Sequence, residues 1–245
     1  MGVRAFDIRL SIDDDDDIGK HFDIHHGGCN LGVDFNYVLY NCMSFLLDNP
    51  SETIIMSYQD KSNSFNDPES LLETFQEYLA SDGGEFKNIM YTANRVPEMR
   101  TARGKIVLLN FKEYEILNNR QNKVPGLWNM WTNCPDAQKI KLDTSCSVVN
   151  DWTPQNCPNQ CETYIKSLEN NMKRAKTSNT NKQLLHITYA SASKGLESPL
   201  NYADTVNPEI KEWLEEQSGP ADFGIVMTDF PNAQLIKEIY SKNFS

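Results

Sequence analysis

The chain has 245 residues, the usual length of one α/β barrel domain, and 39% of them are hydrophobic, which is enough for one sizeable core. Its formal net charge of −11 argues against a nucleic-acid-binding protein, which needs a basic face, and against strong attraction to an anionic membrane. No apolar run approaches membrane-spanning length, and we predict a single domain over residues 1–245.

The first stretch, GVRAFDIR (Gly2–Arg9), has the composition of a short strand buried on both faces. Asp7 and Arg9 stand at its end, and residues two apart on a strand point to the same side. A second short apolar segment ends in HHG (His25–Gly27). Arginine offers a fork of donors that suits a phosphate, and histidine exchanges a proton near neutral pH. Phosphoester chemistry needs this combination, although a structural ion pair and a structural histidine are the alternative interpretation.

Helical and extended patterns alternate along the rest of the chain. The aspartate run 13–17 predicts a solvated loop tip between two strands rather than a calcium loop. The alternation predicts a parallel sheet with helical crossovers, and residues 111–160 are interpreted as long loops. Predicted helices span 33–47, 70–79, 161–176, 208–217 and 235–240, and predicted strands span 53–58, 106–110, 184–189 and 223–228.

The cysteines are concentrated in one part of the chain. Four of the six lie between positions 134 and 161. This crowding favours disulfides and an oxidising compartment, whereas zinc is disfavoured because no histidine cluster lies nearby. Free thiols of a cytosolic protein are the alternative. The six positions are Cys29, Cys42, Cys134, Cys146, Cys157 and Cys161.

Polar residues recur where the predicted strands end. In a parallel α/β barrel these ends form one edge, where catalysis takes place. Some of the residues are expected to be helix N-caps instead, Ser191 in particular. Arg103 precedes its strand, so periodicity alone does not place it at this edge. The candidates are Asp7, Arg9, His26, Gln59 or Lys61, Arg103 or Asn110, Asp151, Ser191 and Asp229.

Five segments, in this order, resemble the bacterial-type phosphatidylinositol-specific phospholipases C. They are GVRAFDIR, HHG, NPSETIIMS (residues 49–57), ARGKIVLL (residues 102–109) and NPEI (residues 207–210). The resemblance implies a distorted, not fully closed TIM-type (β/α) barrel. It also implies a lyase that needs no metal and no cofactor: the inositol 2-hydroxyl attacks phosphorus, diacylglycerol leaves, and cyclic inositol phosphate forms.

The resemblance also assigns roles to individual residues. Arg9 stabilises charge on the phosphate oxygens, and His26 protonates the diacylglycerol leaving oxygen. Asp7 helps to position the arginine and the histidine, and Asp229 holds the general-base histidine. Arg103 and Asp151 are implied contacts of the inositol hydroxyls.

The chain departs from the family pattern at its start. The family opens with a strand that ends in Gly-Thr-His-Asp, and its histidine is the general base. This sequence starts at the second strand, so we expect a barrel that is incomplete at the N-terminus and lacks that base. Neither His25 nor His186 is a natural substitute, because one is expected to point away from the site and the other lies in mid-strand.

Further departures concern the head-group site. Gln59 stands where the family has lysine, and Lys61 is the nearest candidate replacement. Asp151-Trp152-Thr153 lacks the aromatic ring of the family's Asp-x-aromatic platform, so only Trp152 could replace it. Leu196 replaces a membrane-inserting tryptophan of the family.

These observations leave three functions open. The first is a secreted, monomeric phospholipase that cleaves phosphatidylinositol or a glycosyl-phosphatidylinositol and meets the phospholipid membrane surface transiently, without binding nucleic acid. The second is a catalytically impaired barrel that binds lipids or a partner. The third is a phosphodiesterase with another head-group specificity.

Overall fold

The computed structural model describes residues 2–15, 19–26, 28–60, 68–80, 84–93, 96–110, 127–128, 148–151, 161–177, 185–191 and 198–244. The chain divides into two compact units, one of residues 4–129 and the other of residues 1–3 with 130–245. That the whole chain is one domain stays a prediction.

The first unit is built on a mostly parallel sheet of seven strands, in the order β3-β2-β1-β4-β6-β5, with β7 also paired to β6. Strands β1, β2 and β3 form an antiparallel meander, and the remaining pairs are parallel. The strands are β1 (Ala5–Asp15), β2 (Gly19–His26), β3 (Cys29–Asp34), β4 (Ile54–Asp60), β5 (Met90–Tyr91), β6 (Ile106–Asn110) and β7 (Leu127–Trp128). The helices are α1 (Phe35–Asp48), α2 (Pro68–Ala80), α3 (Glu85–Ile89) and α4 (Met99–Ala102).

Strand β1 differs from its prediction in two ways. It continues to Asp15, because Leu10–Asp15 pairs with β2 as a hairpin, so Asp7 and Arg9 lie in its first half rather than at its end. It is also not buried on both faces, since Phe6 is 38% exposed. The aspartate run was expected to form a loop tip, but Asp13–Asp15 are strand residues that pair with β2. Asp13 and Asp14 are exposed, and residues 16–18 lie outside the described residues.

The core of this unit lies on one face of the sheet. Alternate residues of β1 and β4, among them Leu10 and Met56, pack into it with residues of α1, α2 and α3. Phe22 stacks on Tyr78 with ring centroids 5.4 Å apart, and the Tyr78 hydroxyl accepts a hydrogen bond from the Phe22 main-chain N–H at 3.0 Å. Burial raises the pKa of Tyr78 to about 12, so this hydroxyl stays protonated at neutral pH.

The second unit contains a parallel sheet of three strands in the order β10-β9-β8. Its strands are β8 (Val148–Asp151), β9 (Leu185–Ala190) and β10 (Ile225–Thr228), and its helices are α5 (Cys161–Thr177), α6 (Pro199–Glu216) and α7 (Ala233–Ser241). One hydrophobic cluster joins the three helices to Ala190 and Phe223.

Helix α6 is longer than the sequence pattern indicated. The predicted helix began at Pro208, but α6 begins at Pro199, where the Ser198 side chain accepts a hydrogen bond from the Leu200 N–H. Proline inside a helix costs about 3 kcal/mol in general, because an N–H donor is lost. Buried residues on both sides of Pro208, such as Val206 and Ile210, offset that cost by packing.

Strands and helices therefore alternate as predicted, and the fold is α/β with mostly parallel pairing. Within the described ranges the strands do not close into a ring. No described helix is both long enough and apolar enough to cross a membrane.

The cysteines are in two chemical states. Cys161, at the start of α5, is disulfide-bonded, whereas Cys29 and Cys42 are free thiols. Burial raises the pKa of Cys42 to about 11, so its thiol is protonated and unreactive at neutral pH. Cys134, Cys146 and Cys157 lie outside the described residues.

Candidate active site

Asp7 and Arg9 lie on the face of the first sheet that is turned away from the core. Ile8 and Leu10, which alternate with them, belong to the core side. In the parallel register, Asp7 is the partner of Ser57 and Arg9 is the partner of Gln59. Register partners point to the same side of a sheet. The first strand pair therefore presents a carboxylate, a guanidinium, a hydroxyl and an amide on one face.

Ser57 is a member of this group that sequence reasoning missed. Only 2% of this residue is exposed, and among the described residues its Oγ has no hydrogen-bond partner. The neighbouring Asp7 Oδ1 is also buried. Parallel pairing of GVRAFDIR with NPSETIIMS was implied by the alternation, but the register that places Ser57 beside Asp7 is not visible in either segment alone.

The two adjacent histidines of β2 differ in position. Asp23 pairs with Ser11 of β1, which is two residues from Arg9, and the pairing of β2 with β3 is irregular between Asp23 and His25. His25 is half-buried, whereas His26 ends the strand and is exposed. The expectation that His25 points away from the site and the acid role of His26 both stay predictions.

The structure does not bring Arg103 to the region of Arg9. Arg103 is exposed and follows α4, in the turn before β6. The adjacent Gly104 N–H donates to the carbonyl of Glu52, before the start of β4. Since β1, β4 and β6 are parallel, this turn is at the amino edge of the sheet, whereas Gln59 is at its carboxyl end. Asn110, the other candidate, ends β6 beside Tyr58.

The carboxyl edge of the second sheet carries two further candidates. Asp151 ends β8 and is the register partner of Thr188 on β9. Asp229 follows directly after Thr228, which ends β10. Both residues therefore come at strand ends, as predicted. Lys61 and Trp152 lie outside the described residues.

Two buried helix side chains hold this edge. The Tyr164 hydroxyl of α5 contacts the carbonyls of Tyr189 and Ser191 at 3.0 and 3.1 Å. Burial strongly raises the pKa of Tyr164, and the charge of Asp229 raises it further, so the hydroxyl remains a donor. The Asn207 amide of α6 donates to the carbonyls of Asp229 and Phe230 at 2.9 and 3.4 Å.

One group of described residues has the donors of a metal site. Asp13, His21 and Asp23 each offer a ligand atom within 4.8 Å of the others, on neighbouring positions of the β1–β2 hairpin. Asp13 is four residues along β1 from Arg9, about 13 Å at the usual strand rise. A cation held there would not contact a phosphate bound at Arg9, so the expected metal-free chemistry depends on the arginine itself.

No family model matches the chain. A 1-phosphatidylinositol phosphodiesterase of Listeria monocytogenes serovar 1/2a is 25% identical over 252 residues, covering 99% of this chain and 68% of that protein. The enzyme of the same name from Staphylococcus aureus strain Newman is 26% identical over 234 residues, covering 94% of this chain and 72% of its own length.

Solved structures of such enzymes match the fold. The phosphatidylinositol-specific phospholipase C of Listeria monocytogenes superposes with a TM-score of 0.72 at 24% identity, covering 100% of this chain and 80% of that structure. A Staphylococcus aureus enzyme with incorporated pentafluoro-phenylalanine gives 0.74 at 23% identity, covering 100% and 81%. The resemblance predicted from the sequence is confirmed: the chain is a homologue of bacterial phosphatidylinositol-specific phospholipases C and shares their TIM-barrel-type α/β fold.

Proposed function

We propose that the protein is a phosphorus–oxygen lyase that cleaves phosphatidylinositol, or a glycosyl-phosphatidylinositol, into diacylglycerol and cyclic inositol phosphate. The observation that carries this proposal is the presence of Asp7 and Arg9 on the face of β1 turned away from the core of the first unit, in a homologue of these enzymes. A guanidinium at that place offers paired donors to two phosphate oxygens, and it supplies positive charge without a metal.

The proposed reaction proceeds by general acid–base catalysis. The inositol 2-hydroxyl oxygen bonds to phosphorus, and its proton passes to a general-base histidine, the one that the family resemblance expects in a Gly-Thr-His-Asp segment and that the Asp229 carboxylate would hold. The bond between phosphorus and the diacylglycerol oxygen breaks, and that oxygen takes a proton from His26. Arg9 stabilises the charge that develops on the non-bridging oxygens, and Asp7 positions the arginine. A general acid typically increases the reaction rate by about 10²- to 10⁴-fold, and a preorganised hydrogen-bond donor increases it by about 10²- to 10³-fold.

The remaining candidates concern the head group. Asp151 is proposed to contact inositol hydroxyls, and Gln59, Lys61 and Trp152 are also proposed to bind the head group. Arg103 is the weakest member of this set, because its turn is at the amino edge of the sheet.

The setting is also part of the proposal. One solved structure of the Staphylococcus aureus enzyme concerns the modulation of its membrane binding. We therefore propose a secreted, monomeric protein of one domain that meets phospholipid surfaces peripherally and transiently, without binding nucleic acid.

A second candidate function is a binding module without turnover. The observation that favours it is the neutral Gln59 beside Arg9, where the family resemblance expects a lysine. Such a protein would hold an anionic head group through Arg9 but would not cleave it.

Phosphorus NMR of phosphatidylinositol vesicles incubated with the protein distinguishes these functions. We expect a cyclic inositol phosphate signal, and a loss of about 10²- to 10³-fold in rate for Arg9→Lys, because a lysine cannot reproduce the bidentate fork. Arg4→Lys is the matched control, since Arg4 pairs with Glu52 outside this face. Vesicle binding that needs Arg9 but gives no cyclic product would support the binding module. If the protein neither binds the vesicles nor cleaves the lipid, both functions are excluded.

A longer chain that carries a Gly-Thr-His-Asp segment tests the expected additional strand in the same assay. We expect a higher rate from that chain than from residues 1–245. Equal rates would mean that this histidine is dispensable or replaced.

A further inference from the structure

The carboxyl ends of strands β9 and β10 are each held by a buried polar side chain from a helix. Tyr164 of α5 contacts the carbonyls that end β9, and Asn207 of α6 donates to the carbonyls that follow β10. These neighbouring strands are parallel, so both contacts occur at the same edge of the sheet. Of the two helix residues, Asn207 binds the main chain of the candidate carboxylate Asp229 itself.

Asn207 occupies a place in the helix where an apolar side chain would be expected. Residues Val206, Ile210 and Leu214 of α6 form its buried stripe, and Asn207 is only 8% exposed beside them. Both of its Nδ2 hydrogens have carbonyl acceptors. Its Oδ1 is buried and has no hydrogen-bond partner among the described residues. A buried acceptor without a partner costs about 1–3 kcal/mol in general, so stability alone does not favour an asparagine here.

The segment that Asn207 holds has an unusual backbone. Phe230 has a φ of 45°, and it is the only non-glycine residue with positive φ among those described. A non-glycine residue in this region is strained, and the conformation persists only where surrounding contacts impose it. The Asn207 amide binds the carbonyls of the two peptide groups that flank Phe230, those of Asp229 and Phe230, and so provides such a contact.

We propose that Asn207 is a positioning residue that fixes the turn at Asp229 and thereby the direction of the Asp229 carboxylate. This inference rests on the proposed function, because it assigns Asp229 a part in the reaction. It predicts that a change at Asn207 lowers the rate of the chemical step without weakening substrate binding. A displacement of about 1 Å at a catalytic group typically costs on the order of 10²-fold in rate.

The test is a double-mutant cycle in the phosphatidylinositol cleavage assay. Asn207→Leu removes the two hydrogen bonds that the Asn207 amide donates. Because leucine suits the apolar stripe of α6, the helix should stay packed. We expect kcat to fall about 10- to 100-fold with KM unchanged. In an Asp229→Asn background, Asn207→Leu should cause no further loss, because both changes act through one carboxylate. Gln217→Leu is the matched control, since it removes an amide-to-carbonyl bond at the end of the same helix, to Trp213 and not to the Asp229–Phe230 segment.

Several results would overturn the inference: an undiminished kcat for Asn207→Leu, losses that multiply in the double variant, or full activity of Asp229→Asn. Asn207→Ser provides a smaller second variant if leucine prevents folding. If the wild-type protein does not turn over, the proposed function fails and the inference is judged by amide hydrogen exchange alone. Exchange at the amides of Asp229, Phe230 and Asn232 should then be faster in Asn207→Leu but not in Gln217→Leu, and unchanged exchange would refute it.

Discussion

Arg9 on β1 and Gln59 on β4 are direct partners in the parallel register of the first sheet. A neutral amide therefore stands beside the guanidinium that is proposed to hold the phosphate. The charge at position 59 should consequently control how strongly an anionic substrate is bound.

Gln59→Lys should lower the KM for phosphatidylinositol by up to about fivefold, since one additional exposed charge pair contributes at most about 1 kcal/mol. Gln59→Glu should raise the KM, and added salt should reduce both effects. Vesicle assays at two ionic strengths measure these changes. If KM responds to neither substitution, Gln59 does not face the bound phosphate.

The roles of the two histidines at the end of β2 can be distinguished by measuring the activity of their alanine variants on substrates with different leaving groups. We expect His26→Ala to lose about 10²- to 10⁴-fold in kcat with phosphatidylinositol, because the diacylglycerol alkoxide needs a proton from an acid. An inositol phosphodiester with an aryl leaving group needs little protonation, so this variant should retain most of its activity with that substrate. His25→Ala, next along the strand, should reduce both activities alike. The reverse pattern would transfer the acid role to the half-buried His25.

Metal removal should leave turnover unchanged, because the Arg9 guanidinium supplies the positive charge at the phosphate. The measurement is the cleavage rate with and without a chelator such as EDTA. The hairpin group of Asp13, His21 and Asp23 provides the internal comparison: Asp23→Asn should leave the rate unchanged in both conditions. A rate that falls with the chelator and returns with a divalent cation would contradict the arginine-based mechanism.

Gly224 should be among the least replaceable glycines of the second unit. It has a φ of +73°, and a Cβ atom there would lie 2.6 Å from the carbonyl oxygen of His186 on β9. Gly219 has the same φ of +73°, and no atom lies within 4 Å of a Cβ added there. The substitution Gly219→Ala therefore measures only the free-energy cost of placing alanine at a positive φ. That cost is about 1–2 kcal/mol, equal to a fall in Tm of roughly 2–8 °C for a chain of this size.

Gly224→Ala should lower the Tm by clearly more than Gly219→Ala, because β9 and β10 must also move apart. Thermal unfolding followed by circular dichroism measures both. Equal shifts would mean that the strands relax around the methyl group without cost.

Local patterns were sufficient for much of the fold. Periodicity predicted the helices that became α2 and α5 and the strands that became β4, β6 and β9, because the alternation of buried and exposed residues is a property of each segment alone. Helix α6 was predicted too short, since Pro208 is locally a signal for the start of a helix and only packing on both sides of it permits a continuous helix.

The amino-acid sequence by itself determined the α/β class, the family resemblance and the residue types of a phosphodiesterase site, because these depend on composition, local period and motif order. Only the tertiary structure decided which of those residues stand together. Strand register placed Ser57 beside Asp7 and Gln59 beside Arg9, and it kept Arg103 at the opposite edge of the sheet. The contact of Asn207 with the Asp229–Phe230 segment joins residues 22 and 23 positions apart, and no local pattern encodes such a pairing. Register and long-range hydrogen bonds arise from the packing of whole elements, which is why they appear only in the folded chain.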